Sequence, residues 1–230
     1  MFIGDWLARR AMLTPAKVAL IDTLNGNRRI TYRDWNRAAN RTAIFLREQC
    51  GIQKGDRVAV LAMNCVEYLD IWFACGKLGA ILQALNWRLT PHELSALIAD
   101  AQPRVLIYGE EFRTTVGELR ASALTPSFRS GQALSLSLIG RGELPDTPPP
   151  EVELTFDDPW VICYTGGTTG LPKGAILTHG NIAWNSVNTV MSWGLTPDDV
   201  AILNAPLFHT GGLNVFTAPL AHIGGTSIVC

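Results

Sequence analysis

The chain is short of charge. Asp, Glu, Lys and Arg make up 17% of its 230 residues while 47% are hydrophobic, against about 25% charged in an average soluble domain. That balance implies extensive burial, or a surface that meets another piece of protein. Nineteen basic and twenty acidic side chains leave a net charge of -1, so no electrostatic footprint for nucleic acid is present and no such partner is expected. No apolar run approaches the roughly eighteen residues of a membrane span. Residues 1–7 lack a basic leader and a cleavage site. A cytoplasmic protein without a transmembrane segment is expected.

Cysteine is also scarce. Cys50, Cys65, Cys75, Cys163 and Cys230 are odd in number and widely spaced, with no C-x-x-C. His92, His179, His209 and His222 show no metal-ligand spacing. Reduced, mostly buried thiols follow, with neither a disulfide nor a structural metal. Two phosphate-binding signatures are missing as well. No G-x-G-x-x-G follows the strand around Val58, and G-x-x-x-x-G-K-[ST] counted from Gly167 reaches Pro172, not glycine. Lys173 is then followed by Gly174, so that pattern's magnesium-binding hydroxyl is absent.

What the chain does have is the stretch Trp160 to His179. An apolar run, Trp160 to Tyr164, reads as a buried strand. Thr165, Gly166, Gly167, Thr168, Thr169 and Gly170 follow, small or hydroxyl-bearing throughout, and Lys173 lies just beyond. Glycines let backbone N–H groups converge on an anion, and the hydroxyls and the ammonium group add donors. A polyphosphate fits this better than a plain glycine-rich hairpin. Ala175 to Thr178 continues as a strand, with a helix over 181–193. His179, at the junction, reads as a backbone-capping histidine.

The rest of the chain alternates. Asp5 caps a helix through Leu13, and Asn25-Gly26 marks a hairpin between strands at 18–21 and 29–31. Thr31 caps a helix with the stripe Trp35, Ala39, Thr42 and Leu46. Strands are expected at 57–62, 81–85 and 104–108. Helices fall between them, one capped by Asn64 and ended at Gly79, the other opened by Thr90, Pro91 and Glu93. Tyr68, Ile71, Trp72 and Cys75 form an i, i+3, i+4, i+7 stripe that reads as core. A helical face at Phe112, Val116 and Leu119 and an alternating strand at Leu134, Leu136 and Leu138 precede the proline-rich connector of residues 141–150. This is the pattern of an α/β fold with mostly parallel sheets covered by helices. Residues 1–140 and 151–230 are expected to be two interlocked subdomains joined by that connector.

A second candidate site is Ala205-Pro-Leu-Phe-His-Thr-Gly-Gly-Leu213, between a strand and a helix. Gly211 and Gly212 at a helix N-terminus offer N–H groups to an anion, with His209 beside them either donating to it or merely capping the helix.

Tyr164-Thr-Gly-Gly-Thr-Thr-Gly-Leu-Pro-Lys-Gly174 resembles the signature loop of the adenylate-forming (AMP-binding) superfamily: acyl-CoA synthetases, luciferases and peptide-synthetase adenylation domains. Gly166 departs from it, since serine is commoner there, and one hydroxyl donor is lost. Gly55-Asp-Arg-Val-Ala59, Asn86-Trp-Arg-Leu-Thr-Pro91 and Pro206-Leu-Phe-His-Thr-Gly211 extend the resemblance to most of the chain. It implies that ATP is bound, with magnesium bridging its phosphates, by Thr165, Gly166, Gly167, Thr168, Thr169, Gly170 and Lys173. It implies that Phe208, His209, Thr210 and Gly211 line the acid site, with His209 in the catalytic position. Amino-acid-activating relatives carry an aspartate in that segment. None is present here, so a fatty or aryl acid is the expected substrate, activated as an acyl adenylate and passed to coenzyme A. A homodimer is left open. The family's adenine, ribose and catalytic-lysine motifs cannot be mapped onto residues 1–230, so an amino-terminal fragment, inactive alone, is expected. A non-catalytic nucleotide-binding module and a luciferase-type oxygenase are the alternatives.

Overall fold

The computed structural model describes residues 4–121, 132–138, 144–165 and 172–230. Their ten strands form two sheets. The larger has six strands in the order β6-β5-β3-β4-β7-β8: β3 (Arg57–Leu61), β4 (Ile81–Ala84), β5 (Val105–Tyr108), β6 (Gln132–Ser135), β7 (Pro159–Thr165) and β8 (Lys173–Thr178). All pairings are parallel except β7 with β8. The smaller has the order β2-β1-β10-β9: β1 (Val18–Asp22), β2 (Arg28–Thr31), β9 (Val200–Leu203) and β10 (Thr226–Val229), antiparallel only at β1 and β2. Each sheet takes strands from both sides of the proline-rich connector. Leu20 lies opposite Ser227, and Leu82 opposite Val161.

The side-chain period of two divides the residues of the larger sheet between two cores. Ala59, Leu61, Leu85 and Leu106 pack under α4 (Pro91–Ala101) and α5 (Arg113–Ala121). Val58, Val60, Leu82 and Val161 face α2 (Tyr32–Glu48) and α3 (Val66–Leu78), and that core runs on into Leu20 and Val229 of the smaller sheet. Apart from Glu67, every residue of α3 is buried, Asp70 and Lys77 included, the latter held by Asp5 and Asn36. Trp160 lies at its centre. Its indole stacks on Trp72 with ring centroids 5.3 Å apart, and Nε1 donates to the Trp72 carbonyl at 2.9 Å. A Cβ on Gly76 would stand 2.7 Å from the Trp160 ring, so only glycine admits this approach.

Local signals hold at most ends. Asp5 accepts from Ala8 N–H, Thr31 from Asp34 N–H, and Thr90 and Glu93 form a reciprocal capping box. Gly79 ends α3 in the left-handed region, at φ 65. Three expectations change. Asn25-Gly26 belongs to a five-residue connection, not a two-residue turn: Thr23–Asn25 is a 3-10 turn, and Asp22 pairs with Arg28. Asn25 Nδ2 and Arg28 both reach the buried Asp22 carboxylate, which fixes that wider loop. Leu136–Leu138 is 3-10 and not strand, because Ser135 Oγ accepts the Ser137 N–H and closes a turn. Asn64 does not cap α3; Cys65 holds the N-cap position without a side-chain bond.

Helix α6 (His179–Trp193) follows β8, and α7 covers residues 210–223 in three parts: Thr210–Gly212, a π-helical Leu213–Thr217 and Ala218–Ile223. The widened turn has local causes. Pro219 brings no N–H, Asn185 Nδ2 takes the Asn214 carbonyl at 2.7 Å, and Thr217 Oγ1 takes the Gly212 carbonyl at 2.6 Å.

Candidate functional site

Parallel strands bring their carboxyl ends to one edge, and open α/β sheets bind ligands in the crevice outside that edge. Here two sheets contribute to one cleft of about 430 Å³. Met63 and Asn64 follow β3, Trp87 and Arg88 follow β4, Asn204 and Pro206 follow β9, Cys230 follows β10 and Leu24 follows β1. Thr165, the last residue of β7, ends at the same edge of the larger sheet. A smaller cavity of about 160 Å³, which shares Asn204 with the cleft, lies between Ile202, Leu203, Gly211, Val215 and Phe216.

Thr165 and Lys173 are register partners on β7 and β8. The strands flanking the glycine-threonine stretch are therefore an antiparallel pair, so hairpin flanks and an anion-binding loop are compatible. Gly166, Gly167, Thr168, Thr169 and Gly170 lie outside the described residues. Both flanking residues are exposed. Thr165 Oγ1 makes a long 3.4 Å bond to the Lys173 carbonyl, and Lys173 has no ion-pair partner among the described residues. A weakly held hydroxyl and an ammonium group without an ion pair among the described residues thus stand on adjacent strands. Tyr164 braces this pair. Its ring covers Gly174, opposite it in register, and its hydroxyl donates to Asp100 Oδ2 at 2.6 Å, with the Leu97 carbonyl at 3.2 Å. Burial and the Asp100 carboxylate push the phenol's pKa up.

His209 is the N-cap of α7, and its Nδ1 accepts the Gly211 N–H at 3.1 Å. An accepting Nδ1 leaves the proton of the neutral ring on Nε2, which is a donor on an exposed residue. The expectation of free amides at Gly211 and Gly212 is corrected. The first is held by His209 Nδ1 and the second by the His209 carbonyl at 3.0 Å. His209 Nε2 is left as a donor that these bonds do not use. Thr210 Oγ1 accepts from Asn214 Nδ2 at 2.9 Å. Phe208 meets Trp87 edge-on at 6.0 Å. The Arg88 guanidinium lies 4.8 Å from the Trp87 ring centroid and 5.6 Å from that of Phe208. It has no carboxylate partner among the described residues and sets a positive charge on the cleft wall.

His179 is not the cap of its helix. Thr178 caps α6 by accepting from Asn181 N–H, and the His179 ring stacks on Trp160 at 4.6 Å, 2% exposed, with neither nitrogen hydrogen-bonded. Desolvation pushes its pKa down to about 4. Its place is the core, away from the cleft's lining. Asn64, Trp87, Arg88 and Cys230 were not among the residues expected at the site. Their position just past the ends of parallel strands is the signal that marks them.

Two mostly parallel sheets whose carboxyl ends open onto one crevice, with Thr165 and Lys173 at the same edge of the larger sheet, define an α/β protein with a cleft at its strand ends. The chain belongs to the AMP-binding enzyme family, whose model matches residues 7–230. It is 39% identical over 215 residues to feruloyl-CoA synthase of Amycolatopsis sp, covering 93% of this chain and 40% of that protein. It is 35% identical over 215 residues to long-chain-fatty-acid–CoA ligase FadD13 of Mycobacterium tuberculosis, covering 92% and 42%. ATP-bound MatB from Rhodopseudomonas palustris superposes with a TM-score of 0.85 at 30% identity, over 99% of this chain and 45% of that one. The chain spans about two fifths of the length of these curated relatives.

Proposed function

We propose that the whole protein activates a carboxylic acid lacking an α-amino group and transfers the acyl group to coenzyme A. The substrate carboxylate attacks the α-phosphorus of ATP, the bond to the β-phosphate oxygen breaks, and pyrophosphate leaves. The thiol then displaces AMP from the acyl adenylate. Such a step depends on positioning and charge neutralisation more than on covalent help from the protein. Thr165 and Lys173, with Gly166, Gly167, Thr168, Thr169 and Gly170 between them, hold the β- and γ-phosphates in this reading. Magnesium fits as the phosphates' own counter-ion. Phe208, His209, Thr210 and Gly211 receive the acid, with Nε2 of His209 as donor to its carboxylate.

The observation that carries this reading is the shared edge. Thr165, register partner of Lys173, ends β7 at the edge where Trp87, just past the neighbouring β4, meets Phe208. The apolar lining of the smaller cavity supports a hydrocarbon or aryl tail, and the relatives' names include one acid of each type. The 230 residues alone are proposed not to turn over. The test is ATP–pyrophosphate exchange by the whole protein with fatty, aryl and amino acids. Exchange with the first or second class and none with the third is expected. Exchange with none of them would leave a non-catalytic nucleotide-binding module.

A further inference from the structure

We infer that Asn64 is the positioning residue of the acid site, and the inference rests on the function proposed above. Asn64 lies three residues beyond the end of β3, where its sequence context suggests a helix cap. Its side chain instead reaches across to the other sheet. Nδ2 donates to the carbonyls of Leu203 at 3.3 Å and Ala205 at 3.0 Å, and Oδ1 accepts the Leu207 N–H at 2.9 Å. These three backbone groups belong to the last residue of β9 and the turn that follows it, where the strand ladder has ended. A primary amide supplies both donors and an acceptor on one short side chain, so it can act there as a replacement strand neighbour.

The held segment is tight on its other side too. His209 N–H bonds to the Pro206 carbonyl at 3.1 Å, and a Cβ on Gly212 would stand 2.3 Å from that same oxygen. Asn64 fixes one end of this turn and the Gly212 contact the other. Phe208 and His209 lie between. Asn64 also lines the main cleft, so the residue holding the turn is part of the cleft floor. No other side chain among the described residues joins the carboxyl end of β3 to residues 203–207 by hydrogen bonds. Asn64 therefore sets where His209 Nε2 and the Phe208 ring stand relative to a bound acid, without itself belonging to the reacting groups.

The test uses Asn64→Ala in the whole protein, with Asn64→Ser as a second variant should the first not fold. Two measurements are made. Amide hydrogen exchange over 204–209 is expected to quicken while 81–84 and 173–178 keep the wild-type rate. In pyrophosphate exchange, the apparent KM for the acid is expected to rise about tenfold, the loss of one or two net hydrogen bonds, with the KM for ATP within about twofold of wild type. Unchanged exchange at Leu207 would overturn the role of Asn64 whatever the protein's activity. Faster exchange at Leu207 with an unchanged acid KM would overturn the link between this turn and the acid. If no acid supports pyrophosphate exchange, the functional reading fails and the amide measurement still decides whether Asn64 holds the turn.

Discussion

The seam around α3 and the cleft at the strand ends are built from the same helices and strands, by opposite means. In the seam, Trp72, Phe73, Trp160 and His179 lie ring against ring with almost no solvent, and a single hydrogen atom on Gly76 makes room for an indole. At the cleft, the Asn64 amide and the His209 ring hold backbone that has left the ladder, and the Arg88 and Lys173 cations have no ion-pair partner among the described residues. The seam decides whether the protein folds. The cleft decides what it holds once folded. Substitutions should therefore separate: seam changes lower stability with little change in affinity per folded molecule, and cleft changes do the reverse.

The largest expected effect on stability is Trp160→Ala, which removes the central ring and its bond to Trp72. A loss of about 3–5 kcal/mol is expected in urea unfolding, with the acid KM of the remaining folded protein unchanged. A raised KM would break the separation. Acid comes next. The His179 pKa falls to about 4 in the folded protein from about 6.5 in an unfolded chain. The unfolded state therefore binds the proton first as pH falls. Stability is full above pH 6.5 and declines as pH drops towards 4, by about 3 kcal/mol in all. His179→Phe should flatten that part of the profile. Gly76→Ala follows, at about 1–3 kcal/mol, because a Cβ there must displace Trp160 or α3. The smallest is Tyr164→Phe. It deletes the hydroxyl that braces β7 against Asp100 and should cost about 1 kcal/mol of stability, while the KM for ATP rises severalfold. An unchanged KM for ATP would remove Tyr164 from the account of the phosphate site and sharpen the boundary between the two regions.

The seam was the more legible region from sequence. Apolar runs and the i, i+3, i+4, i+7 stripe Tyr68, Ile71, Trp72 and Cys75 require burial wherever they lie, and the stripe is buried. Capping residues such as Thr31 and Thr90 act over three residues, so local sequence is enough to place them. Long-range choices were less readable. Asn64 had a local use as a cap and a distant use at residues 203–207, and the distant one prevailed. His179 had a junction to cap, but Thr178 took that role and Trp160 took the ring. The segment 205–212 lies between β9 and α7, as its sequence suggests, yet the two glycine amides expected to be free are bonded. The turn is tight enough that His209 satisfies both itself. Trp87 and Arg88 carried part of the family resemblance but no site signal until sheet order put the ends of β3, β4 and β9 side by side.

The central claim is that the edge shared by Thr165, Lys173 and the Phe208–His209 segment holds both halves of one reaction. A crystal structure of the whole protein with ATP and a carboxylic acid tests it most directly. The triphosphate should lie against Thr165 and Lys173, with the acid's carboxylate within hydrogen-bond reach of His209 Nε2 and of the α-phosphate. Phosphates bound away from the β7–β8 pair, or an acid bound outside the cleft and the adjoining cavity, would contradict it.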